Sequence, residues 1–598
     1  MKRLLQRLSR TSLVGGAVRT WAELDSLERA VLVGALVLHG IALGWGLPSS
    51  DAWDNDGVAP RDVLPGLVET FAPGKHYTYP PLQLLIVALA SLPASLVALA
   101  RAKSFAQADV VAAFLDVRVM TTITVVARAL ALAASLGIVL AMGELARLLA
   151  GSAAKRARAF GMAVAAVEVS HTYYAQTSNL DVPYLFWASV SLVVFAKALA
   201  EDRPERLTRA AALAALAIAT KDQAYALFLL SLPLLAALWA WTRRGATTGA
   251  GSSSALVKQA LKASAVGVGL VLFVDGALFN PTGFLARVRF LLGPASQDFA
   301  QYAKSFDGRL DAFIDTWKPM PEHYPWPIVP LVASGLALAV ARPAQAEGRE
   351  RDRARLVALL PALGALSFTL AFNCWARRVE ERFIMPQMLL VGVYAAVALG
   401  RAEAATRARG GGAARAAFVG VAALTFGWAL RMSASVDATM LRDPRYEAEA
   451  WLATHARPED TIEVYGMNVY LPRFAPWMHV VRVGTEPVGR RGPMPGITEV
   501  EAHYGAIDAR NPKFVVVGEG FAWRYLIGEW GGDGGRVQPV IHRENLADHD
   551  ARDHFHKLWS GTGRYATALH AKYTSSLFPI VRMHGSLGAE VWVFERRD

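Results

Sequence analysis

Three carboxylates stand close together early in the chain, in Asp51-Ala-Trp-Asp-Asn-Asp-Gly57. They follow an apolar run at about 31–47, at an apolar–water boundary. An acid there is partly desolvated, which raises its pKa and suits it to take a proton from a hydroxyl. A solvated acidic loop or a helix cap is the plainer alternative. A fourth acid, Asp181, opens a later apolar run in Asn179-Leu-Asp-Val-Pro183, where it could equally cap a helix. Lys221, beside Asp222, lies between the runs 207–220 and 223–241, and Arg377, Arg378 and Arg382 lie between 355–373 and 383–400. Charges at a membrane edge are costly and often functional, and cations so placed suit an anionic headgroup or a leaving phosphate. Snorkelling to lipid headgroups, or local ion pairs of Lys221 with Asp222 and of Arg382 with Glu380 or Glu381, would explain them without chemistry.

These residues need a membrane frame to position them. Of the 598 residues, 54% are hydrophobic and 19% charged, which argues against a disordered chain or an ordinary soluble enzyme. A single cysteine, Cys374, excludes an internal disulfide framework. Apolar runs fall at about 31–47, 82–100, 119–146, 159–177, 182–200, 207–220, 223–241, 259–279, 326–341, 355–373, 383–400 and 416–431, most near the ~20 residues that cross a bilayer. The N-terminal Lys2, Arg3, Arg7, Arg10 and Arg19 and the basic clusters at 147–158, 203–209, 243–262, 342–355 and 401–415 all fit the inner side.

Parity then makes one early run non-crossing. The run 82–100 follows Pro80-Pro81 and contains Pro93, so it is expected to be a re-entrant or juxtamembrane helix. About eleven transmembrane helices remain, the loop with Asp51 and the C-terminal segment both facing outside. The expected architecture is an all-α polytopic membrane domain over 1–431 and a small soluble extracytoplasmic α/β domain over 432–598. The latter shows strand-like runs at Thr461–Tyr465 and Phe514–Val517, a helical run near Tyr446–His455, and glycines at 531–535. His171 with Tyr173 and Tyr174 could line an acceptor cleft but read rather as an interfacial aromatic belt, and His323-Tyr-Pro-Trp-Pro327 reads the same way. Arg287 and Arg289 suit a surface-lying helix.

The combination resembles the polytopic C-type-fold glycosyltransferases, the group of the protein O-mannosyltransferases and the lipid A aminoarabinose transferase. The resemblance rests on Trp53-Asp54-Asn55-Asp56 after the first span, Tyr79-Pro80-Pro81-Leu82 entering the juxtamembrane helix, Arg118 opening the next span, Asp181-Val-Pro183, Thr220-Lys221, and Arg382-Phe383-Ile-Met-Pro386. It covers about residues 1–400. One departure is that the family's Asp-Glu pair appears as Asp56-Gly57.

The resemblance implies an inverting transfer of a hexose or pentose from a polyprenyl-phosphate donor to an acceptor on the outer face. An aspartate is the implied base. Asp56 fits the family's acid, with Asp54 the alternative and Asp181 the second acid. Lys221, Arg382 and Arg378 would hold the phosphate, with Tyr79 and His76 as further substrate contacts. No cofactor is assigned, and a divalent metal stays open. The acceptor, whether protein, lipid or glycan, is not named by the sequence. A multi-span transporter and a non-catalytic lipid-binding envelope protein are the rival readings. Nucleic-acid binding does not fit, because the net charge of +12 is spread over many loops. Length and the lack of organelle signals point to a bacterial inner (cytoplasmic) membrane.

Overall fold

The computed structural model describes residues 20–597, apart from 55, 59, 153, 245–251, 294–297, 344–346, 493, 527–544, 546 and 584–586. The basic residues Lys2, Arg3, Arg7, Arg10 and Arg19 and the glycine run 531–535 lie outside the described residues.

Among the described residues seven helices are long and apolar enough to cross a membrane, or nine if each of two bent pairs is one span. The expected eleven crossings are not reached by this measure, and the breaks have local causes. The run at 31–47 is helical only over Ser26–Leu38, and the helix stops at His39, whose ring bonds to Ser135 and to the Ala166 carbonyl. The run at 159–177 divides into Ala157–Ala166 and Val169–Tyr174, with Glu168 capping the second piece. The run at 207–220 gives only Leu207–Ile218. The run at 82–100 forms Pro81–Ala90 and Leu92–Arg101, bent by 69°, the geometry of a broken span or a re-entrant loop.

The helix Glu381–Ala408 is the axis of the bundle, its apolar window wholly buried. The helix Ser253–Val274 is the opposite case, with 6% of its apolar window buried. A face that apolar must meet lipid rather than water, so the chain is an integral membrane protein.

The helix Gly412–Leu441 leads through Pro444–His455 into a six-stranded sheet. Its strands are β1 Thr461–Tyr465, β2 His479–Gly484, β3 Ile497–Glu501, β4 Phe514–Gly518, β5 Tyr565–Ala571 and β6 Val591–Arg596, in the order β3-β2-β1-β4-β6-β5. The first four neighbours are parallel, and β6 and β5 add antiparallel at one edge. Alternate residues of β4 serve opposite faces. Val515 and Val517 pack with Phe521 and Phe555, while Phe514 and Val516 pack with Ala448 and Leu452. Helices on both faces explain why β4 is an unbroken apolar run.

Candidate functional site

Five segments far apart in sequence meet at one place. The first is the loop after the short opening helix. Arg128, fully buried on the Val117–Ala150 helix, donates from Nη1 to the carbonyls of Leu43 (2.6 Å) and Trp45 (2.7 Å). Its Nη2 and Nε donate to Asp54 Oδ1 (2.5 Å) and Oδ2 (3.3 Å). The Ser178 amide adds a bond to Asp54 Oδ2 at 2.6 Å. Both oxygens of Asp54 are thus taken, and its side chain is 1% exposed. Gly57 follows from the same crowding. A Cβ there would lie 2.5 Å from Ser178 Oγ and 2.7 Å from Asp54 Cβ, so the position after Asp56 has no room for a side chain.

Asp56 differs from Asp54. Its φ of 57° is left-handed, a region that Asp tolerates better than most residues. Its Oδ2 accepts from Arg382 Nη1, and its side chain stays 40% exposed. Arg382, in the first turn of Glu381–Ala408, also donates from Nε to Glu380 Oε2 at 3.0 Å. Arg378 holds the other oxygen of Glu380, at 2.6 Å. The loop carrying these groups is braced from behind. Asn373 Nδ2 donates to the carbonyls of Arg378 (3.1 Å) and Phe383 (3.2 Å), and Gln387 Nε2 donates to Asn373 Oδ1 at 2.8 Å. Asn373 ends a π-helical turn, Thr369–Asn373, a distortion that recurs at functional sites.

The third and fourth segments supply a second acid–cation pair. Asp181 begins the helix Asp181–Ala200, and its Oδ1 accepts from Lys221 Nζ at 2.6 Å. The loops before Asp181 and around Asp56 are tied together, because the Val58 amide donates to the Ser178 carbonyl at 3.4 Å. The Leu82 amide donates to the Ala219 carbonyl at 3.1 Å, which docks the fifth segment, Tyr79-Pro80-Pro81-Leu82, beside Lys221. Tyr79 is half-buried against Val58, Leu84 and Leu180. Phe383 gathers the cations: its ring centroid lies 4.7 Å from the Arg382 guanidinium carbon, 5.0 Å from that of Arg378 and 5.8 Å from Lys221 Nζ. Lys221 is within electrostatic reach of Asp181, Arg382 and Asp56.

The sheet domain fixes the other end of the loop. Trp53 Nε1 donates to the Leu471 carbonyl (3.0 Å) and Asn468 Nδ2 to Asp51 Oδ2 (3.3 Å). The Arg445 guanidinium stacks 3.9 Å from the Trp53 ring centroid. Burial at this junction pushes the Asp51 carboxyl up to about 6, against the pull of Arg61.

Several expectations change. Lys221 does not pair with Asp222, whose carboxylate is held by Arg287. Arg287 is itself buried, so its helix is not a purely surface one. His171, Tyr173 and Tyr174 are fully buried rather than an interfacial belt, as is Tyr324, and His323 is nearly so, bonded to Glu168; only Trp326 of that group is exposed. Arg118 is exposed. The buried arginine of that helix is Arg128, which sequence reasoning missed although an arginine deep in an apolar run is itself a signal. His76 is exposed and meets Phe290 edge-on at 5.3 Å, outside the ion pairs. Among the described residues no three His, Cys, Asp or Glu side chains gather as metal ligands.

No protein-family model matches the chain, and no curated protein matches it in sequence. Among solved structures it is similar to ArnT from Cupriavidus metallidurans in the apo state, with 15% identity, TM-score 0.44, and 84% of this chain and 93% of that chain covered. ArnT bound to undecaprenyl phosphate gives 16% identity, TM-score 0.43 and coverages of 82% and 92%. The Archaeoglobus fulgidus oligosaccharyltransferase tethered with an acceptor peptide gives 13% identity, TM-score 0.42 and coverages of 96% and 89%. These neighbours belong to the C-type glycosyltransferase group whose motifs the sequence resembles.

Proposed function

We propose that this chain is a membrane glycosyltransferase that moves a sugar from a polyprenyl-phosphate donor to an acceptor hydroxyl at the outer face, with inversion. The observation that carries the reading is the meeting of two acid–cation pairs, Asp56 with Arg382 and Asp181 with Lys221, around the Phe383 ring. Each cation holds an acid in the structure. A phosphate oxyanion is a strong competitor for the same donors, so the donor's phosphate draws on Lys221, Arg378 and Arg382 and releases Asp56 Oδ2.

Asp56 then accepts the proton of the acceptor hydroxyl while its oxygen attacks the anomeric carbon. The bond from that carbon to the phosphate oxygen breaks, and its electron pair stays on the phosphate. The cations meet the charge that grows there through the transition state. Attack opposite the leaving group inverts the anomeric centre. Asp54, with both oxygens engaged, positions the loop and leaves the proton transfer to Asp56. The full-length protein in proteoliposomes, offered a panel of polyprenyl-phosphate hexoses and pentoses with cell-envelope extract as acceptor source, tests the reading. Release of polyprenyl phosphate from at least one donor is expected. No turnover together with no binding of bare polyprenyl phosphate would contradict it.

A further inference from the structure

Beside the acid–cation pairs lie three polar atoms that the proposed chemistry has not used. Asp181 Oδ2 and the hydroxyls of Tyr174 and Tyr184 are buried and have no hydrogen-bond partner. Their residues come from two successive helices, Val169–Tyr174 and Asp181–Ala200, and each side chain is fully buried. Asp181 is the charge that acts most strongly on both phenols, and Arg382 acts on both as well. The Tyr184 ring centroid lies 6.0 Å from Lys221 Nζ. Buried polar groups are ordinarily paired, and an unpaired one is costly. A carboxylate oxygen and two phenols under its influence, all without a partner, are better explained by a ligand than by chance.

We infer that Tyr174, Tyr184 and the second carboxylate oxygen of Asp181 form the subsite that holds the hydroxyl groups of the donor sugar, and that it is built for a neutral, hydroxyl-bearing sugar rather than a basic one. This rests on the reading of the site as a lipid-phosphate sugar transferase. The chemistry matches group by group. A phenol donates to or accepts from a sugar hydroxyl, and Asp181 Oδ2 accepts from another. Lys221 already neutralises Asp181 through Oδ1. An ammonium on the sugar would meet the like charges of Lys221 and Arg382 beside the subsite. The phosphate cations stand immediately alongside, so a sugar seated here has its leaving group among them.

Binding by full-length protein in nanodiscs separates the outcomes, with three probes: a short-chain prenyl-phosphate mannose, the glucosamine counterpart, and the bare prenyl phosphate. The wild type should bind the mannose lipid about tenfold or more tighter than the bare lipid, the equivalent of one good hydrogen-bond set. Tyr174→Phe and Tyr184→Phe should each erase most of that margin, leave the bare-lipid affinity unchanged, and melt at or above the wild-type temperature, since each deletes an unpaired buried hydroxyl. A lower melting temperature with the margin intact makes the tyrosines structural and overturns the inference. Equal wild-type affinity for mannose and bare lipids overturns the subsite while leaving the phosphate site standing. Equal affinity for mannose and glucosamine lipids overturns the preference for a neutral sugar. Binding of none of the probes overturns the transferase reading and the subsite together.

Discussion

Asp54 and Asp56 belong to one short loop, yet the protein surrounds them in opposite ways. Asp54 is 1% exposed, and Arg128 and the Ser178 amide occupy both its oxygens. The Asp56 side chain is 40% exposed, and its partner Arg382 is shared with Glu380. The first arrangement is closed and ties Asp54, through Arg128, to the Leu43 and Trp45 carbonyls, and directly to the Ser178 amide. The second can change partners. Sequence distance says nothing of this division of labour; both counter-ions are buried, and the exposure of the carboxylate itself decides it.

The comparison breaks most visibly at Arg128. Replacing it with Met leaves Asp54 charged and buried, and leaves the Leu43 and Trp45 carbonyls without their donor. Breaking a buried pair this way costs about 3–5 kcal/mol, so Arg128→Met should fail to assemble or melt far below the wild type in detergent. A melting temperature within a degree or two of the wild type would show that the pair is not an anchor.

A smaller effect is expected at the open pair. Arg378→Met removes one cation from the Phe383 cluster while Arg382 still holds Glu380. One charge-assisted bond is worth about 1.5–3 kcal/mol, so bare prenyl phosphate should bind at least about tenfold more weakly, with little change in melting temperature. Unchanged affinity would remove Arg378 from the phosphate site.

The smallest effect concerns Asp51, where the loop meets the sheet domain. Its folded pKa of about 6 lies above the ordinary 3.8. Between those values the folded protein keeps a proton that the unfolded chain has lost, so stability falls as pH rises through that window and levels off above it. Thermal melts from about pH 4 to 7 should show this slope in the wild type and a flatter one in Asp51→Asn. Identical slopes would mean that the junction does not bury the carboxyl.

Much of the site was legible in the sequence, for a physical reason. Asp56, Asp181, Lys221 and Arg382 stand at the ends of apolar runs, where a charge needs a purpose, and the structure brings them together. What escaped lies inside the runs. Arg128 has no partner visible nearby in sequence, because Asp54 reaches it from another segment. Tyr174 and Tyr184 look like any membrane aromatics until packing shows which face is inward. The helix breaks at His39 and Val167 were hidden too, since hydropathy does not register the bonds that stop a helix. In the sheet domain β1 and β4 were visible as short strand-like runs, whereas β3, with its half-exposed pattern, was not.

The most direct test of the central claim is the initial rate of sugar transfer, at saturating donor, by Asp56→Asn in proteoliposomes. The amide keeps nearly the same shape but cannot take a proton at neutral pH. The rate should fall by on the order of 10²–10⁴, with the melting temperature and bare prenyl phosphate binding retained. Transfer at the wild-type rate would contradict the assignment of Asp56 as the base.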